Sequence, residues 1–178
     1  MPRINPVHAE TADPKTAELL VGVKKKLGMV PNLISTMAQS ITVANAYLGF
    51  SGALAGGALS AKLREQIALT VGQANNCDYC VAAHCTVGKM VGLNATEVQQ
   101  ARLASAADEK ANAALVFASK LVKERGRVSD ADLEQVRHAG YSDGEINEIV
   151  ANVALNIFTN YFNHVAGTEI DFPAAPLL

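Results

Sequence analysis

Residues 60–85 read "SAKLREQIALTVGQANNCDYCVAAHC", two helix-like stretches meeting at a polar break. Ser60 is a suitable N-cap, and Leu63, Ile67 and Val71 recur at fourfold spacing, so the first stretch predicts an amphipathic helix. The chain has three cysteines, all in the second stretch at positions 77, 80 and 85, with His84 among them. Asn75 and Asn76 offer an N-cap there, which predicts that Cys77 and Cys80 open a second helix. If the chain reverses around Ala74 and Asn75, the two helices pack antiparallel. Reflecting position 65 through that bend lands on position 84, so Glu65 and His84 are expected at one height, where a carboxylate and an imidazole can share a proton.

The spacing of the thiols sets their chemistry. Three residues on a helix correspond to about 60° of rotation and about 4.5 Å of rise, which brings Cys77 and Cys80 within disulfide reach. The unpaired N–H groups and positive dipole at a helix start favour thiolate over thiol. His84 follows Cys80 by about one turn, where an imidazole can relay a proton to or from the sulfur. Zinc is the competing reading, with Cys77, Cys80, His84 and Cys85 as four soft ligands. On a continuing helix Cys85 lies about 140° round from Cys80, so the four cannot close a tetrahedron and no metal is expected. Cys85 is expected to be a buried small hydrophobe.

Working outward, helix signals recur and strand signals are nearly absent. Pro14 can open a helix that Gly28 and Pro31 close, with Lys24, Lys25 and Lys26 at its end to complement the macrodipole. A short helix in "PNLISTMAQS" and an uncharged one from about Ile41 to Ala55 follow. Asn94 with Glu97, Ser129 with Asp132 and Ser142 with Glu145 have capping-box spacing. These signals predict an all-α chain of about eight helices: a single domain over residues 1–178 with an N-terminal arm of about residues 1–30. "LSAKLREQIALTV" and "YSDGEINEIVANV" align Ser60 with Ser142, Ile67 with Ile149 and Val71 with Val153, which suggests an internal helix-pair repeat.

Composition narrows the partners. The 178 residues are 49% apolar with a net charge of −2, which argues against disorder and against a nucleic-acid partner. The uncharged stretch from Gln39 to Ala61 contains Gly52, Gly56 and Gly57, so a buried helix is expected there and no membrane span. "MPRINPVHAE" has no hydrophobic signal core, so a cytoplasmic protein is expected, where a close cysteine pair is more often catalytic or metal-binding than structural. Apolar content this high also favours a homo-oligomer.

Glu65, Cys77, Cys80 and His84 fit the pattern E-x11-C-x2-C-x3-H. In this the chain resembles the alkylhydroperoxidase AhpD-like proteins of the carboxymuconolactone decarboxylase superfamily. The specific likeness covers about residues 60–91, while "MVPNL" (29–33) and "YFNHVAGTEIDFP" (161–173) add weaker likenesses. The resemblance implies an AhpD-like helical bundle assembled as a trimer or hexamer, with no cofactor and a thiol-dependent peroxidase activity. It implies that Cys80 is the peroxidatic cysteine, Cys77 its resolving partner, and Glu65 with His84 the proton relay. A hydroperoxide would be the substrate, and a dithiol of lipoyl or thioredoxin type the reductant. AhpD itself has a histidine where this chain has Tyr79, and a tyrosine is no base near neutral pH. Tyr79 and His164 are candidate pocket residues, and Asn160, Tyr161 and Asn163 are open to the same reading. The alternatives are a same-fold lactone decarboxylase or disulfide exchanger, and a non-catalytic redox-sensing or zinc-binding oligomer.

Overall fold

The structure is a computed structural model that describes residues 1–178. It contains nine helices and no strand: α1 (Pro14–Leu27), α2 (Asn32–Met37), α3 (Ile41–Ala55), α4 (Ala61–Ala74), α5 (Asp78–Met90), α6 (Ala95–Arg102), α7 (Glu109–Lys123), α8 (Asp130–His138) and α9 (Asp143–Ala166). The expected starts hold: Ser60 Oγ accepts from Leu63 N–H, and the pairs Asn94/Glu97, Ser129/Asp132 and Ser142/Glu145 each close a capping box. Gly28 ends α1 in the left-handed conformation, with the three lysines in its last turn.

The middle of α4 is enclosed on all sides. It packs against α5, α6, α7 and α9, and every residue from Gln66 to Gly72 is buried. The periodicity of Leu63, Ile67 and Val71 indicated one apolar face. The others are buried because their residues, Ala68, Thr70 and Gly72 among them, let neighbours close in. Thr70 Oγ1 donates to Ala101 O at 2.7 Å, so its hydroxyl is satisfied. A Cβ on Gly72 would stand 3.4 Å from Cys80 Cβ, which is how closely α5 approaches. The main core around Ile67, Leu115 and Ile149 takes in Leu69 and Val71 of α4 and Val81 and Cys85 of α5. A smaller cluster holds Cys77, Tyr79 and Cys80 against Leu33, Met37 and Ala44. The first thirty residues are anchored through Leu20 and Val23, which pack on Ile34 and Ala38.

Two expectations need correction. The uncharged α3 is not a buried helix: Ala44 is its one buried residue, and Phe50 is 41% exposed. Its inner side (Tyr47, Ser51 and Leu54) lines a cavity, and its outer side meets no other element of the chain. The repeat extends to a single helix. Ser60 and Ser142 both cap, and Ile67, Ile149, Val71 and Val153 are all buried, but α4 turns back after Ala74 whereas α9 runs on to Ala166. No helix is long and apolar enough to cross a membrane.

Ile67 is fully buried at the centre of α4. Ile67→Ala is expected to lower unfolding stability by about 2–5 kcal/mol, measured by denaturant titration.

Candidate active site

The bend between α4 and α5 builds the site. Asn75 is the C-cap of α4, and Asn76 follows with φ 53°, a left-handed residue of the kind asparagine tolerates. Cys77 N–H donates to Gly72 O at 2.9 Å and Asn76 N–H to Gln73 O at 3.1 Å, the paired bonds of a Schellman turn. Asn75 Nδ2 donates to Asn160 Oδ1 at 2.8 Å, which ties the bend to α9.

Cys77 is itself the N-cap of α5, a place the sequence had suggested for Asn75 or Asn76. Those asparagines are used up in closing α4. The Cys77 sulfur accepts from Cys80 N–H at 3.4 Å, and a disulfide joins the two cysteines with Cα atoms 5.3 Å apart. They are only 1% and 3% exposed. Cys85 is the one free cysteine; it is buried in the main core, away from the cluster that holds the pair. Burial pushes its thiol pKa up. No group of three or more His, Cys, Asp or Glu that could hold a metal ion is gathered anywhere in the chain.

Glu65 and His84 meet across the antiparallel pair. Glu65 Oε2 lies 2.7 Å from His84 Nδ1, with the side chains 17% and 25% exposed, so the carboxylate does not point into open water. An ionised carboxylate only accepts, so Nδ1–H is the donor, which leaves Nε2 as the nitrogen able to exchange a proton. Both residues line a cavity of about 300 Å³ that also reaches Cys80, Tyr47 and Asn163. Burial, and then the Glu65 charge, raise the Tyr47 pKa, so the phenol keeps its proton. Leu33, Ile34, Leu54 and Phe172 supply apolar wall, and Asn152, Asn156 and Thr159 of α9 a polar one. A space of this size suits a small organic molecule.

Tyr79 is a strut. Its hydroxyl accepts from Leu33 N–H at 3.1 Å at the start of α2, and its ring meets Phe172 edge-on at 5.7 Å. Burial, with the Asp171 carboxylate beside it, holds the phenol in its neutral form. His164 stands apart: it is exposed, lies outside the cavity lining, and its Nε2–H donates to Asn76 O at 3.3 Å. It sits on a face of α9 that braces the bend, which the sequence had not separated from the cavity face.

Asn163 occupies the place near the sulfurs that His164 was a candidate for. Its Nδ2–H donates to Cys80 Sγ at 3.3 Å, and it is 5% exposed. The available signal was Asn152, Asn156, Asn160 and Asn163 recurring along one face of α9, and all four are buried.

Comparison with known proteins follows this geometry. Residues 42–124 match the model of the carboxymuconolactone decarboxylase family. No curated protein matches the chain. Among solved structures, the chain is similar to an alkylhydroperoxidase AhpD core, an uncharacterized peroxidase-related protein from Ralstonia eutropha. The TM-score is 0.86 at 26% identity, over 96% of this chain and 92% of that one. A peroxidase-related protein from Silicibacter gives 0.82 at 25%, over 93% and 91%. The debrominase Bmp8, in complex with 2,3,4-tribromopyrrole, gives 0.80 at 24%, over 94% and 91%, a likeness of fold.

Tyr79→Phe removes the acceptor for Leu33 N–H, a bond buried on both sides. Its expected effect is a loss of about 1–3 kcal/mol in thermal or denaturant unfolding, with helix content retained.

Proposed function

We propose that the chain is an AhpD-like member of the carboxymuconolactone decarboxylase superfamily and that it is a thiol-dependent peroxidase. The observation that carries this reading is the 2.7 Å contact between Glu65 and His84 on the cavity that Cys80 lines. A thiol alone is a weak nucleophile, and one beside an oriented base is an activated one.

In the proposed cycle His84 takes the proton of Cys80, with Glu65 holding the ring and offsetting its charge. The thiolate attacks the distal oxygen of a hydroperoxide: an S–O bond forms, the O–O bond breaks, and the leaving alkoxide takes the proton from His84 and departs as alcohol. Cys80 is left as a sulfenic acid. The Cys77 thiol displaces its hydroxyl, giving water and the Cys77–Cys80 disulfide. An external dithiol then returns two electrons and two protons by exchange and is itself oxidised to a disulfide. The burial of both sulfurs favours a slender dithiol such as a lipoyl arm over a direct approach by a bulky thioredoxin-type face. A homo-oligomer, trimeric or hexameric, belongs to the same proposal. The outer side of α3 is uncharged and carries the exposed Phe50, which suits contact with a second copy.

Cys80→Ser is expected to abolish hydroperoxide-dependent oxidation of a dithiol such as dihydrolipoamide, followed by loss of peroxide. Full turnover in that variant would overturn the reading. Glu65→Gln keeps the shape but not the charge, and is expected to slow the peroxide step tenfold or more at neutral pH by stopped-flow measurement, within the roughly 10²–10⁴-fold that proton transfer contributes. A parental rate would remove Glu65 from the mechanism.

A further inference from the structure

We propose that Asn163 is a further catalytic residue, whose side-chain N–H donates to the Cys80 sulfur and favours its thiolate. The proposal rests on the reading of Cys80 as the attacking sulfur. Four observations lead to it. Asn163 Nδ2 stands 3.3 Å from Cys80 Sγ and 4.0 Å from Cys77 Sγ, so it sits over both sulfurs and closer to Cys80. No other side chain hydrogen-bonds to the Cys80 sulfur, and His84, committed to Glu65 through Nδ1, makes no hydrogen bond to either sulfur. Cys80 is largely buried, at 3% exposure, and burial by itself disfavours a thiolate. Finally, Asn163 Oδ1 is buried with no partner, a destabilising feature that an apolar side chain of similar size would not carry.

These observations fit one role. A neutral thiol is a poor acceptor and a thiolate a good one, so a fixed amide donor beside a buried sulfur stabilises the charged form far more than the neutral one. The titratable groups facing this end of the cavity are Glu65 and Arg64 from α4, Tyr47 from α3 and His84 from α5, with Asp171 behind Tyr79. Glu65 opposes a second negative charge, and Arg64 Nη1 is occupied by Leu59 O. On α9 no titratable group lines the cavity, so the carboxamide is what that helix contributes. His84 removes the proton, and Asn163 holds the charge left behind.

The test needs no peroxide, so it separates this proposal from the peroxidase reading. Reduced protein is alkylated with iodoacetamide across pH, and modification of Cys80 is followed by mass. In Asn163→Leu the midpoint for Cys80 is expected to rise by about one pH unit, which slows alkylation near neutral pH about tenfold. In Asn163→Asp, which places an anion beside the sulfur, it is expected to rise further. A parental midpoint in either variant, with parental helix content, overturns the proposal. In the unaltered reduced protein, the side-chain ¹⁵N–H signals of Asn163 are expected to shift with the Cys80 midpoint. Their failure to move through that titration overturns it without any substitution.

Discussion

The turn after Ala74 is the constraint on which the site depends. A helix must end before its chain can reverse, and here the ending uses Asn75 as cap, Asn76 in the left-handed region, and Gly72 as acceptor for Cys77 N–H. Because α5 starts at the very next residue, the heights of its side chains against α4 are set by that turn. One residue more or fewer would rotate α5 by about 100° and carry His84 off the face that meets Glu65. Gly72 matters twice, since Cys80 Cβ and Val81 of α5 also lie within van der Waals range of the place its side chain would take. Asn160 then fixes the turn to α9, and α9 brings Asn163 to the sulfurs.

Within that frame two opposed demands meet at the cysteines. Enclosure keeps water and stray oxidants from a sulfur but destabilises its anion. The structure answers with short-range donors: Cys80 N–H on the Cys77 sulfur and the Asn163 amide on the Cys80 sulfur. Each is a dipole, and dipoles cost less to bury than a lysine or arginine would. Tyr79 belongs to the same economy of position. Where AhpD carries a histidine, this chain has a neutral phenol that holds α2 and Phe172 in place, so on the proposed reading proton traffic passes through His84 alone.

What was legible in the sequence was local. Capping boxes at Asn94, Ser129 and Ser142, the Gly28 stop and the α3 span follow from short-range rules, and the structure repeats them. The Glu65–His84 contact was legible because a tight hairpin makes a long-range relation out of counting residues. The rest depended on which face of a helix meets which neighbour. Asn75 and Asn76 fit a C-cap as well as an N-cap, and only the packing of α4 against α5 decides between them. His164 and Asn163 are adjacent on α9, about 100° apart, and nothing local says which one faces the cysteines. The uncharged α3 looked buried because sequence reports apolarity and cannot report whether another element of the chain covers it.

The fold leaves the reaction open, since the debrominase Bmp8 shares it. What narrows the chemistry is access. Cys80 lines the cavity, whereas Cys77 lies behind it as the cap of α5. On the proposed reading a hydroperoxide therefore meets Cys80 first, and the sulfur that resolves the sulfenic acid is already within disulfide distance and shielded from the substrate. The order of events then follows from depth: the outer sulfur is oxidised, the inner one condenses with it, and a reductant narrow enough to enter has the same outer sulfur within reach. A cavity of about 300 Å³ that is apolar on one wall and lined with carboxamides on the other admits a molecule with an organic body and a polar end. Selectivity on this account belongs to the passage as much as to the thiols, because the thiol chemistry itself accepts any peroxide that can be brought to the sulfur.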